Sequence, residues 1–177
     1  DGSVVLVFNG EIYNFMELRE QLQSKGHTFA SRSDSEVIIH AYEEWGIESI
    51  SRLRGMFAYA LFDTKKNSLL LVRDRIGIKP LYYHQSGDRF IFASEIKAIL
   101  EDSNVDRQVN FQALYDYLGF EFVPAPQTMF AGINKLPAGH YLLFEDNQVK
   151  IEQYWDLQFQ QSDAPTNFDE AVEKMRE

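Results

Sequence analysis

The period of apolar and polar positions changes several times along the chain, and each change marks an element. Val4-Val5-Leu6-Val7-Phe8 is a continuous, mostly β-branched apolar run that suits a strand covered on both faces, with Asn9-Gly10-Glu11 expected to end it. Phe15, Leu18 and Leu22 then recur at spacings of three and four before Gly26, which predicts a helix over 15–25 with Asn14 as N-cap and Glu17 as its capping-box partner. Asp34 precedes Val37, Ile38, Ala41, Tyr42 and Trp45, which predicts a second helix over 35–45 that Gly46 terminates. These two helices are expected to bury Leu18, Leu22, Ile38 and Trp45 against a sheet.

Downstream the period shortens to that of strands, expected over 56–62, 69–73, 81–85, 89–93, 140–144 and 149–155. Ser86-Gly87-Asp88 and Asp146-Asn147 read as hairpin turns. Ser94-Glu95 opens a short helix to Leu100, and Asn110 caps another through Leu114, Tyr117 and Leu118. Gln158 to Asn167 is polar and reads as a linker, after which Phe168 begins a helix with nothing left to pack against.

Composition places the chain among compact globular domains: 177 residues, 45% hydrophobic and 25% charged. The formal charge of −10 disfavours nucleic acid and anionic lipid as partners. The longest apolar run, Met56 to Phe62, is far shorter than the ~20 residues of a membrane span, so a soluble, cytoplasmic protein is expected. The cysteine count is zero, which excludes disulfides, thiolate metal sites and a cysteine nucleophile within these residues. The chain opens on Asp1 in what reads as a turn entering a strand, so a piece of a longer protein is expected.

Candidate chemistry is sparse. The histidines, His27, His40, His84 and His140, show no HxxxH or HxH spacing, so no metal site is expected. No GxSxG, Walker A or GxGxxG string is present. Asn9-Gly10 offers a side-chain amide and a backbone N–H, a donor pair suited to a developing oxyanion, although Asn-Gly is also a turn dipeptide. Ser33-Asp34-Ser35-Glu36 stands at a helix start, where a carboxylate either binds a substrate ammonium or caps the helix. The basic stretch Arg73 to Lys79 reads equally as an anion site or as a solvated loop that turns at Gly77.

Taken jointly, the strings NGEIYN (9–14), SDSEVI (33–38), RGMFAYALFD (54–63), RDRIGIKPLYY (73–83), ASEIKAIL (93–100) and KLPAGHYL (135–142) resemble the glutaminase domain of glutamine-hydrolysing asparagine synthetases. The match runs from about residue 3 to Leu157, and related class II amidotransferases share the Asn-Gly and Ser-Asp-x-Glu elements. The resemblance implies an α+β fold, the four-layer αββα sandwich of N-terminal-nucleophile hydrolases with two stacked antiparallel sheets, here expected to lack its first strands and to leave a sheet region exposed. It divides the chain into a partial amidotransferase domain (1–157) and a linker with the start of a synthetase domain (158–177).

In that family an N-terminal cysteine attacks the glutamine side-chain amide with its own α-amino group as base, and the ammonia passes to a domain that adenylates aspartate with ATP. The resemblance implies that Asn9 and Gly10 supply the oxyanion hole, that Glu11 and Asp34 hold the amino end of L-glutamine, and that ATP and magnesium belong to the synthetase domain. That domain is the implied partner, and a homodimer is left open. Without a cysteine the chain alone is expected to be inactive. Two other readings stand beside this one: a non-catalytic module of the same fold that binds an amino acid or a partner, and an amidotransferase with a different acceptor.

Overall fold

The computed structural model describes residues 2–158, 165 and 167–176. Among the described residues, eight strands form two antiparallel sheets. The larger has the order β1-β2-β3-β7-β8, from β1 (Val4–Ile12), β2 (Gly55–Asp63), β3 (Ser68–Arg73), β7 (His140–Glu145) and β8 (Gln148–Gln153). The smaller has the order β5-β4-β6, from β4 (Tyr82–Ser86), β5 (Arg89–Ala93) and β6 (Ile133–Lys135).

Alternation along the central strands gives each face of the larger sheet its own core. Phe57, Tyr59, Leu61, Leu70 and Val72 point to helices α1 (Phe15–Ser24) and α2 (Asp34–Trp45), where they bury Leu18, Leu22, Val37 and Ile38. Ala58, Ala60, Leu71 and Leu142 point the other way and pack on Leu81, Tyr83 and Leu136 of the smaller sheet's side. After the short α3 (Ser49–Arg52), α4 (Ile96–Ile99) lies beside a third cluster, of Ile99, Val105 and Ile133, that covers the smaller sheet's far face. The result is the stacked two-sheet, helix-flanked α+β sandwich that the resemblance implies.

Several local expectations are corrected. β1 does not stop at Phe8: it continues through Asn9-Gly10-Glu11 to Ile12, paired without a break to β2. Asn14 holds the N-cap position of α1 but makes no side-chain cap; its amide instead donates to Arg52 O at 3.0 Å and accepts from Arg54 N–H at 2.9 Å. The last strand ends at Gln153, and β6 was not anticipated. Trp45 is only half-buried, with the Arg52 guanidinium 4.4 Å above its ring.

Other elements match their readings. Asn110 Oδ1 accepts from Ala113 N–H at 3.1 Å at the start of α5 (Phe111–Phe120). The expected linker lies mostly outside the described residues, and α6 (Phe168–Arg176) begins at Phe168, with Phe168 and Met175 exposed. No described helix is long and apolar enough to cross a membrane.

Candidate active site

The register of β1 decides which of its groups are available. Tyr13 N–H donates to Arg54 O at 2.7 Å and Thr64 N–H to Ser3 O at 2.8 Å, so the odd-numbered residues exchange hydrogen bonds with β2. The even-numbered Phe8, Gly10 and Ile12 therefore direct their N–H groups to the opposite edge, where no described strand pairs with β1. Side chains alternate at right angles to this: Val5, Val7, Asn9 and Glu11 lie on the face that carries Ala58 and Ala60. The smaller sheet pairs with none of the larger sheet's strands, and Val5 and Val7 on this face are 52% and 61% exposed.

Gly10 sits here for a steric reason. Its φ is +148°, and a Cβ would lie 2.1 Å from Met56 O. Only glycine lets the two backbones approach this closely while its N–H faces the open edge of β1. Beside it, Asn9 Nδ2 donates to Ser94 Oγ at 3.1 Å. The amide carries two hydrogens, so this bond fixes the rotamer and leaves the second N–H to point elsewhere.

Asp34 reaches the same edge from the helix side. The N-cap of α2 is Ser33, whose Oγ accepts from Ser35 N–H at 3.2 Å, so the capping reading of Asp34 is wrong. As the first helical residue, Asp34 accepts from Ile12 N–H at 3.1 Å through Oδ2, and the Ser33 hydroxyl lies 3.4 Å from Oδ1. Ile12 and Gly10 present successive outward N–H groups on one edge, about 7 Å apart along the strand. Asn9, Gly10, Glu11 and Asp34 thus share the open edge of β1, with Glu11 exposed on the same face as Asn9.

The first cation of the basic stretch is tied up within its own loop. The Arg73 guanidinium donates to the carbonyls of Lys79, Gly77 and Leu136 at 2.7–2.8 Å, and burial pushes it below its ordinary pKa. The loop turns about Asp74, which is fully buried and accepts from the N–H groups of Phe57, Ile76, Ile78 and Lys79 at 3.0–3.2 Å. Sequence reasoning missed both this carboxylate and Ser94.

Two stacked antiparallel sheets flanked by helices define the class of protein, an α+β sandwich with the edge of β1 open beside Asn9 and Gly10. Residues 1–155 match the glutamine amidotransferase domain family, and the chain belongs to it. Among relatives, asparagine synthetase [glutamine-hydrolyzing] 3 of Bacillus subtilis is 37% identical over 97% of the chain and 28% of its own length. Asparagine synthetase [glutamine-hydrolyzing] 2 of the same organism is 44% identical over 89% of the chain and 22% of its own length. The chain therefore spans about a quarter of the curated relatives it matches. Glutamine phosphoribosylpyrophosphate amidotransferase from B. subtilis shares the fold, with a TM-score of 0.59 and 23% identity over 88% of this chain and 30% of its own length.

Proposed function

We propose that this chain is the glutamine-binding and oxyanion-stabilising part of a glutaminase domain that serves asparagine synthesis. The observation that carries the reading is the shared β1 edge: the Asn9 amide and the Gly10 N–H next to each other, and the Asp34 carboxylate two residues further along. An extended glutamine laid on this edge puts its side-chain carbonyl at Asn9 and Gly10 and its ammonium toward Asp34 and Glu11.

The chain's own residues act on charge. When a thiolate adds to the amide carbon, the carbonyl oxygen becomes an oxyanion, and each donor aimed at it lowers the barrier by about 3–4 kcal/mol. The nitrogen leaves as ammonia after taking up a proton, and water then cleaves the thioester to glutamate. With no cysteine among its 177 residues, the chain takes its nucleophile from outside them.

ATP and magnesium belong, in this reading, to the synthetase region of the whole protein. The start of α2 carries Asp34 and Glu36, which repel phosphate, so this helix end does not fit a nucleotide. The apolar side of α5, with Phe111, Tyr115, Leu118 and Phe120 exposed, supports docking onto a further domain or a second copy. The relatives' names favour aspartate as the acceptor.

Activity measurement tests the reading. The chain alone releases no ammonia from glutamine above a buffer control. Joined to an upstream segment that begins with cysteine, it gains glutaminase activity that a thiol-alkylating reagent abolishes. Turnover by the chain alone, lost on a serine substitution, would overturn the assignment.

A further inference from the structure

Away from the β1 edge, two histidines far apart in sequence meet. His27, in the loop after α1, and His40, on α2, bring their Nδ1 atoms to 3.3 Å. Glu43, one turn after His40, places Oε2 at 2.7 Å from His40 Nδ1 and 3.8 Å from His27 Nδ1. These separations bracket the edge of about 3.3 Å that a tetrahedron of ligands at about 2.0–2.1 Å from zinc requires. The expectation of no metal site rested on sequence spacing, and the fold removes that ground.

The far side of each ring carries the second signature. His27 Nε2 faces Glu44 Oε2 at 3.1 Å, and His40 Nε2 faces Glu36 Oε1 at 3.7 Å. Glu44 is within hydrogen-bond reach of His27 Nε2, a placement that suits a proton there and a free Nδ1 lone pair, while Glu36 at 3.7 Å supplies charge opposite His40 Nε2 without a hydrogen bond. The carboxylates are themselves held. Glu36 accepts from the Ser31 hydroxyl and from the N–H groups of Ala30 and Ser31, and Glu44 pairs with Lys25 Nζ at 2.8 Å. Three carboxylates against one ammonium leave a local excess of negative charge that a dication neutralises.

We propose that His27, His40 and Glu43 bind a divalent transition-metal ion with the ligand preferences of zinc. The histidines supply Nδ1, Glu43 supplies Oε2, and a solvent molecule takes the fourth position from the adjoining cavity lined by Gly2, Val4 and Ile39. The ion clamps the loop after α1 onto α2, the helix whose first residue is Asp34. It is a structural clamp, and it stands independently of the glutaminase reading. A proton held between the two Nδ1 atoms is the competing occupant.

Metal titration of the chelator-treated chain near neutral pH decides between them. Cobalt(II) should bind one ion per chain with the intense visible absorption of a four-coordinate site, and zinc(II) should displace it. At free zinc about one hundred times Kd the melting temperature should rise by about 5–10 °C. His27→Gln and His40→Gln should each weaken binding at least about tenfold, and Glu44→Gln about 10–100-fold, with His84→Gln as the silent control. Nitrogen-15 spectra of the unmutated chain give a readout that needs no variant: zinc should shift the Nδ1 resonances of His27 and His40 and leave those of His84 in place. No cobalt uptake, or uptake that leaves the His27 and His40 resonances unmoved, would show that the cluster holds only a proton and would overturn the proposal.

Discussion

The carboxylate of Asp34 accepts a hydrogen bond from the backbone N–H of Ile12 at 3.1 Å, which joins the first turn of α2 to the open edge of β1. Losing it leaves an outward N–H without its charged acceptor. Asp34→Ala should therefore destabilise the fold by about 1.5–3 kcal/mol, read from urea unfolding of the chain. In the whole, cysteine-bearing protein the same substitution should raise KM for glutamine. An unchanged urea midpoint would remove the structural role.

Gly10 and Gly55 stand where β1 and β2 approach most closely, and a Cβ at either would lie 2.1 Å from a carbonyl oxygen of the other strand. Gly55→Ala should cost about 3 kcal/mol or more, because backbone on both sides leaves nothing to yield. Thermal unfolding checks this, with Gly87→Ala as the comparison, since a Cβ there meets open space and only the positive φ opposes it.

Asp74 is fully buried and accepts from four backbone N–H groups, so its value lies in accepting. Asp74→Asn keeps the shape but turns an NH2 toward N–H donors. A loss of about 2–4 kcal/mol in urea unfolding is expected. A neutral outcome would mean that the Arg73–Lys79 loop holds its turn without the carboxylate.

Acid stability should carry the mark of Glu36. Its pKa falls from 4.5 to about 2 through the Ser31 hydroxyl first and the Ala30 and Ser31 amides after it. A depressed folded-state value means stability that is complete above the unfolded pKa and is lost as pH falls from about 4.5 toward 2. Melting temperatures across that window should drop less steeply in Glu36→Gln than in the unmutated chain.

Strand and helix periods were legible because a short continuous apolar run marks a strand covered on both faces, as in Met56 to Phe62, and a repeat at three and four marks a buried stripe, as in Val37 to Tyr42. The Asn9-Gly10 dipeptide misled about the end of β1, since the glycine serves close strand approach rather than a turn. β6 is three residues long and pairs with a strand some fifty residues earlier, which no local pattern announces. For the same reason Ser94, Asp74 and the His27–His40 contact escaped: each depends on residues that meet only in the folded sheet or where the loop after α1 packs on α2. Asn9 and Asp34 were legible as residues through the family's strings, whereas their common edge needed the register of β1.

Ser94 holds the Asn9 amide in place without a claim to touch substrate. In the whole protein, Ser94→Ala should lower kcat by less than Asn9→Ala does, and Ser94→Thr should restore part of the loss because the hydroxyl returns. Equal losses for Ser94→Ala and Ser94→Thr would remove the positioning role of the hydroxyl.

The most direct test of the β1 edge is steady-state glutaminase kinetics of the whole, cysteine-bearing protein with Asn9→Ala. An oxyanion donor acts in the transition state, so kcat should fall about 10²–10³-fold while KM for glutamine changes little. An unchanged kcat, or a loss confined to KM, would contradict the assignment of Asn9 to the oxyanion.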